Sequence, residues 1–238
     1  MSGLEWALAV AAMAVGAVLQ GAIGFGQNLI AAPLVALIEP DVIPGGLLTA
    51  SIVMNSLLLF RERRSFELDE VKWAIAGRVP GVVVVAYAVT LLSRDGLGLV
   101  LGSVVLAAAL ANLVGLRVPR TTGTKLGAGF LSGVGATAVG IGGPPIAILY
   151  ADVDGPQLRS TLAGFMMAGT LLSVAVLAMF GEYGAQEIEL GLQLVPGVIV
   201  GFALSGRVAP LLDRGYIRPV VIAVSIVSSV LVLVRSLL

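Results

Sequence analysis

The chain contains no cysteine and no histidine, and only 12% of its 238 residues are charged. Each shortage removes a class of function. Without cysteine there are no disulfides and no thiolate nucleophile. Without cysteine or histidine, the common zinc and copper ligand sets and histidine haem ligation are gone too. The ordinary proton carrier near neutral pH is also missing, so any proton coupling would have to use a carboxylate. No basic patch with interleaved aromatics appears, which argues against nucleic acid. Nothing resembles a nucleophile–base pair, so an enzyme is not expected, and no cofactor is implied.

What is present is apolar. The composition is 58% hydrophobic with a mean hydropathy of +1.05. A soluble domain is about one-quarter charged, and this chain has too little polar surface to cover itself in water. The solvent is therefore lipid for most of its length, and about six to eight spans of ~20 residues would fit. The amino-terminal stretch MSGLEWALAV lacks the positive n-region of a secretory signal, and reads as part of the mature chain.

Two glycine-rich breaks organise the apolar segments. Gly21 to Pro33 reads GAIGFGQNLIAAP, and Thr137 to Leu149 reads TAVGIGGPPIAIL. Gly24, Gly26 and Gln27 stand 116 positions before Gly140, Gly142 and Gly143, and Pro80-Gly81-Val82 stands 116 before Pro196-Gly197-Val198. Two landmarks at one offset argue for a duplication, with halves 1–119 and 120–238.

The run from Leu4 to Ile38 would be ~52 Å long as one helix, against a hydrocarbon core of ~30 Å. It is expected to be a re-entrant hairpin, and 126–151 likewise. Further spans are expected over 45–60, 73–92, 97–116, 160–180, 190–205 and 219–234. With 61–72, 117–125, 152–159 and 207–218 placed in the cytoplasm, eleven loop Lys and Arg lie inside and two outside. The expected fold is thus all-α and polytopic. Each half is one glycine-broken hairpin plus three transmembrane helices, and the odd number of crossings makes the repeats inverted. Inverted repeats with broken helices are a pattern of secondary transporters.

Backbone at membrane depth must be satisfied by protein, water or ligand. After each break a helix restarts, with Gln27-Asn28 in one half and Pro144-Pro145 in the other. A helix start offers free N–H groups and a partial positive charge, and glycine lets an anion come close. The candidate substrate site is therefore Gly24, Gly26, Gln27 and Asn28 with Gly140, Gly142, Gly143, Pro144 and Pro145. Asn55, Thr49 and Ser51 either line the same pocket or bond to a neighbouring helix. Arg78 reads as a residue snorkelling from just inside its span, or as an attractor of anions. Arg159 reads as a topology signal, or again as an anion attractor. Glycines elsewhere, such as Gly16, Gly169 and Gly201, read as packing positions. The implied partners are a small anion and the bilayer, and the oligomeric state stays open, a homo-oligomer included.

The clusters GAIGFGQNLIAAPL (21–34) and GFLSGVGATAVGIGGPPIAILY (129–150) resemble the two signature regions of the sulfite exporter TauE/SafE family, also described as the 4-toluene sulfonate uptake permease family. The resemblance extends over essentially the whole chain. In the first cluster Phe25 and Gln27 flank Gly26 where the family more often has three glycines. The resemblance implies a plasma-membrane permease for sulfite, sulfoacetate, sulfonates or similar anions, in a family whose members both import and export. An anion channel and a non-transporting membrane subunit are the alternatives.

Overall fold

A computed structural model describes residues 3–39, 42, 45–66, 68–88, 103, 106, 110, 118–139, 142–179, 181 and 183–237. The described residues form nine α-helices and no strand. They are α1 (Gly3–Ile23), α2 (Gln27–Ile38), α3 (Gly45–Arg61), α4 (Leu68–Ala88), α5 (Thr122–Val139), α6 (Gly143–Leu149), α7 (Gly155–Met179), α8 (Ala185–Leu212) and α9 (Ile217–Leu237). A short 3₁₀ turn, Arg63–Ser65, joins α3 to α4. The span expected over 97–116 lies almost wholly outside the described residues.

Three of the helices, α1, α7 and α8, are long and apolar enough to cross a bilayer. Large apolar side chains occur on both sides of the fold. Met13, Met54, Phe165 and Leu194 are buried, while Val83, Leu171, Ile199 and Val227 are exposed. A helix bundle that is apolar outside as well as inside is built for a lipid solvent. The chain is a multi-pass membrane protein.

Both apolar runs break where the glycines stand. In the first, Gly24 and Gly26 take φ of 95° and 106°, a left-handed region that side chains disfavour. α1 therefore stops at Ile23, and α2 starts at Gln27 and doubles back along it. In the second, α5 ends at Val139 and Gly142 precedes a new helix whose first turn holds Pro144 and Pro145. Proline suits that turn because its missing N–H has no helical partner there.

Several helices are longer than the hydrophobic pattern alone suggests. α4 begins at Leu68 rather than Trp73, and α7 begins at Gly155, so Arg159 lies inside it. α8 runs through Arg207 and Pro210 to Leu212, where a loop is expected from residue 207. The bilayer limits the apolar part of a helix, but its ends continue freely into the polar interface.

The two most extensive helix contacts are α1 against α8 and α4 against α5. Both pairs run parallel and meet through glycine. A Cβ on Gly197 or Gly201 of α8 would overlap the carbonyl oxygens of Val10 or Ala14 on α1. A Cβ on Gly77 or Gly81 of α4 would overlap those of Leu126 or Phe130 on α5. Without water-driven burial, close backbone approach at small residues is what holds membrane helices together. Gly81→Val should therefore cost about 1–3 kcal/mol through overpacking, read as a lower Tm of the detergent-purified protein. Gly127→Ala, on the same α5 but facing open space, should leave Tm undiminished or slightly raised, since alanine suits a helix interior better than glycine.

Candidate functional site

The two breaks meet. A Cβ on Gly143, at the start of α6, would lie 2.7–3.0 Å from the Phe25 side chain. Gly24 sits against Leu162 and the backbone of Arg159 on α7. Beside this junction is a cavity of about 240 Å³. Gly26, Asn28, Gly142, Gly143 and Pro144 line it from the breaks, and Ser51 and Asn55 from α3. Gln20 of α1, Arg78 of α4 and Thr170 and Ser173 of α7 add to its polar wall, with Phe25, Leu29, Leu47 and Met166 among the apolar residues.

Each break is pinned by one side chain from the helix before it. Gln20 on α1 accepts a hydrogen bond from the Gln27 backbone N–H at 3.3 Å, and its Nε2 donates to Asn55 Oδ1 at 2.8 Å. Ser132 on α5 donates to the Gly142 carbonyl. Gln20 thus ties the first break to α3, and Asn28 Nδ2 adds a bond to Ser51 Oγ at 3.3 Å.

Of the expected residues, Gly26, Asn28, Asn55, Gly142, Gly143, Pro144 and Arg78 line the cavity together. Gln27 does not: its side chain is buried, its Oε1 lacks a hydrogen-bond partner among the described residues, and its carbonyl packs on Gly16. Its backbone N–H, expected to be free, is taken by Gln20. Gly24 and Pro145 are outside the lining, and Gly140 lies outside the described residues. Gly16, Gly169 and Gly201 are packing glycines, each with a neighbour where its Cβ would stand. Thr49 bonds to Tyr183 Oη at 2.8 Å and to the Gly45 carbonyl, away from the cavity.

The structure separates the two arginines. Arg78 is only 6% exposed, where a snorkelling side chain would reach the interface. It lies against Gly169, with its guanidinium 4.9 Å from the centre of the Phe165 ring. Because α4 starts at Leu68, Arg78 is ten residues inside it, about 15 Å from its start. Arg159 lies off the cavity and has no free face for an anion. It donates to both Asp213 oxygens at 2.8 and 3.0 Å, and to Glu62 Oε1 at 2.7 Å.

Glu62 also accepts from Arg61 Nε at 3.0 Å, making a four-residue ion cluster from α3, α7, the end of α8 and the turn after α3. Arg61 donates to the Gly21 carbonyl and to Ser205 Oγ, and Arg159 to the Ala22 carbonyl. Two guanidinium groups thus cap the carbonyl end of α1, which carries a partial negative charge. The sequence signals these groups only as loop charges. Gln20 was missed, although a lone amide deep in an apolar helix is itself a signal, because it must find a partner there.

A bundle of apolar helices, two of them broken at glycine beside a polar-lined cavity, defines a polytopic membrane protein. The family model described as Sulfite exporter TauE/SafE matches residues 8–232, nearly the whole chain, and the chain belongs to that family. It is a family of membrane transporters for sulfite and related sulfur anions, not of enzymes. No curated protein and no solved structure matches the chain.

Arg159→Gln should destabilise the fold by about 3 kcal/mol, since Asp213 loses both of its hydrogen bonds from the guanidinium and Glu62 keeps only Arg61 among the described cations. Arg207→Gln, on the exposed face of α8, should stay within about 0.5 kcal/mol of the wild type. Paired thermal melts in detergent separate the two.

Proposed function

We propose that the chain is a secondary transporter for a small sulfur-containing anion, sulfite or a sulfonate, in the plasma membrane. The anion sits in the cavity beside the paired breaks. The carrying observation is that two chain breaks, far apart in sequence, adjoin at Phe25 and Gly143 next to a polar-lined cavity. Gly26, Asn28, Gly142 and Gly143 offer close backbone approach. Asn28, Asn55, Ser51 and Gln20 offer side-chain polar groups, with Gln27 and Gly24 holding the turn behind them.

The halves 1–119 and 120–238 are read as inverted repeats, each with a re-entrant hairpin. The packing supports this. Val10 and Ala14, the α1 residues against α8, stand 116 positions before Leu126 and Phe130, the α5 residues against α4. That is the offset of the glycine clusters. The segments 61–72, 117–125 and 207–218 are placed in the cytoplasm. The ion cluster then closes the cytoplasmic side of the first hairpin, and its opening accompanies release inward or loading from inside.

Gly26→Leu and Gly142→Leu test the site. At Gly26 a leucine meets both a left-handed backbone and the Leu19 side chain. At Gly142 a Cβ already lies 3.0 Å from Ala136 Cβ and Ser132 Oγ. Both variants should insert in the membrane yet lose saturable sulfite and sulfonate uptake into proteoliposomes. Full uptake in both would sink the proposal. Wild-type flux without saturable counterflow would mean a channel, and no flux at all a subunit serving a partner complex.

A further inference from the structure

Of the described residues lining the cavity, Arg78 alone carries a charge. Its Nε and Nη1 are buried and have no hydrogen-bond partner among the described residues. The ring of Phe165 faces its guanidinium, but a ring face carries only a partial charge and cannot neutralise a cation. The other two cations near the breaks, Arg61 and Arg159, are held in the ion cluster by Glu62 and Asp213. The remaining polar lining, Gln20, Asn28, Ser51, Asn55, Thr170 and Ser173, is neutral.

An unpaired charge in a low-dielectric site is costly, and an oppositely charged ligand relieves the cost. One monovalent anion brings this cavity to neutrality. A divalent anion brings it to minus one, and among the described lining residues there is no histidine or carboxylate that could bring in a proton to correct it. Size does not make the same distinction. A volume of about 240 Å³ corresponds to roughly eight waters at ~30 Å³ each, ample for a small anion of either charge.

We propose that Arg78 sets a charge limit of one on the substrate: the cavity takes monovalent anions and rejects divalent ones of similar size. This rests on the anion-site reading above and adds the residue that decides among anions. Arg78 is a specificity-determining residue, and Asn55, Ser51 and Asn28 orient the ligand without altering the charge balance.

The probes are ethanesulfonate and ethanedisulfonate, which share a two-carbon body and differ by one sulfonate group and its charge. Binding to the purified full-length protein is followed by calorimetry and thermal shift. Ethanesulfonate should bind at least about tenfold more tightly than ethanedisulfonate, the scale of one unmatched charge in a partly screened site. Arg78→Gln should weaken ethanesulfonate by roughly 30-fold or more, as when one partner of a desolvated charge pair is lost, and Arg78→Lys should restore part of it.

Asn55→Asp is the control against misfolding. Its Oδ1 still accepts the Gln20 hydrogen bond, but the added negative charge cancels Arg78, so ethanesulfonate binding should fall as it does in Arg78→Gln. Equal binding of the two probes, or undiminished ethanesulfonate binding by Asn55→Asp, would overturn the charge limit and leave the anion site standing. If neither probe, nor sulfite, binds the wild type, the anion site itself fails and the charge limit with it.

Discussion

A helix interrupted inside a membrane exposes backbone groups that lipid cannot satisfy, and the architecture around the cavity follows from that constraint. Gln20 takes the Gln27 N–H, Ser132 binds the Gly142 carbonyl, and Arg61 and Arg159 bind the last carbonyls of α1. Phe25 then packs across the junction onto Gly143. Neither break stands alone. Each is held by its own preceding helix and pressed against the other, so the cavity forms where polar backbone is already tolerated.

The buried arginines solve the same electrostatic problem in opposite ways. Arg159 is matched in place by two carboxylates, one of them bidentate, a geometry that fixes orientation as well as charge. It joins α7 to the end of α8 and to the turn after α3, and holds the end of α1. Arg78 has an aromatic face and a glycine beside it, and a cavity in front of it. The first arrangement is complete without a ligand. The second leaves a buried charge facing a cavity.

Much of this was legible in the residues. The breaks were visible because left-handed glycines and helix-starting prolines have few other uses inside apolar runs. The all-helical, multi-pass character followed from the scarcity of charge. The ends of helices were harder to read, since α4 and α8 continue as helix into polar segments that hydropathy assigns to loops. A start at Trp73 would put Arg78 near the interface, whereas the start at Leu68 puts it ten residues inside α4. Pairings over long sequence distances were not legible at all. Arg159 finds Asp213 54 positions later, and Gln20 finds Asn55 35 positions later. A lone amide in an apolar helix marks Gln20 and Asn55 as needing partners, but nothing local says which partner each one finds.

The glycine contacts that cross between the halves also bear on how the protein is made. The principal partner of α1 is α8, which begins at Ala185. Ribosomes add about 5–20 residues per second, so the first helix to enter the bilayer waits on the order of ten seconds for the surface it was shaped to meet. Until then the carbonyls along its Val10–Ala14 face have no glycine ridge against them. α4 meets α5 much sooner. The early α4–α5 pair and the α1–α2 hairpin are therefore in place first, and α8 closes the face of α1 that α2 leaves uncovered.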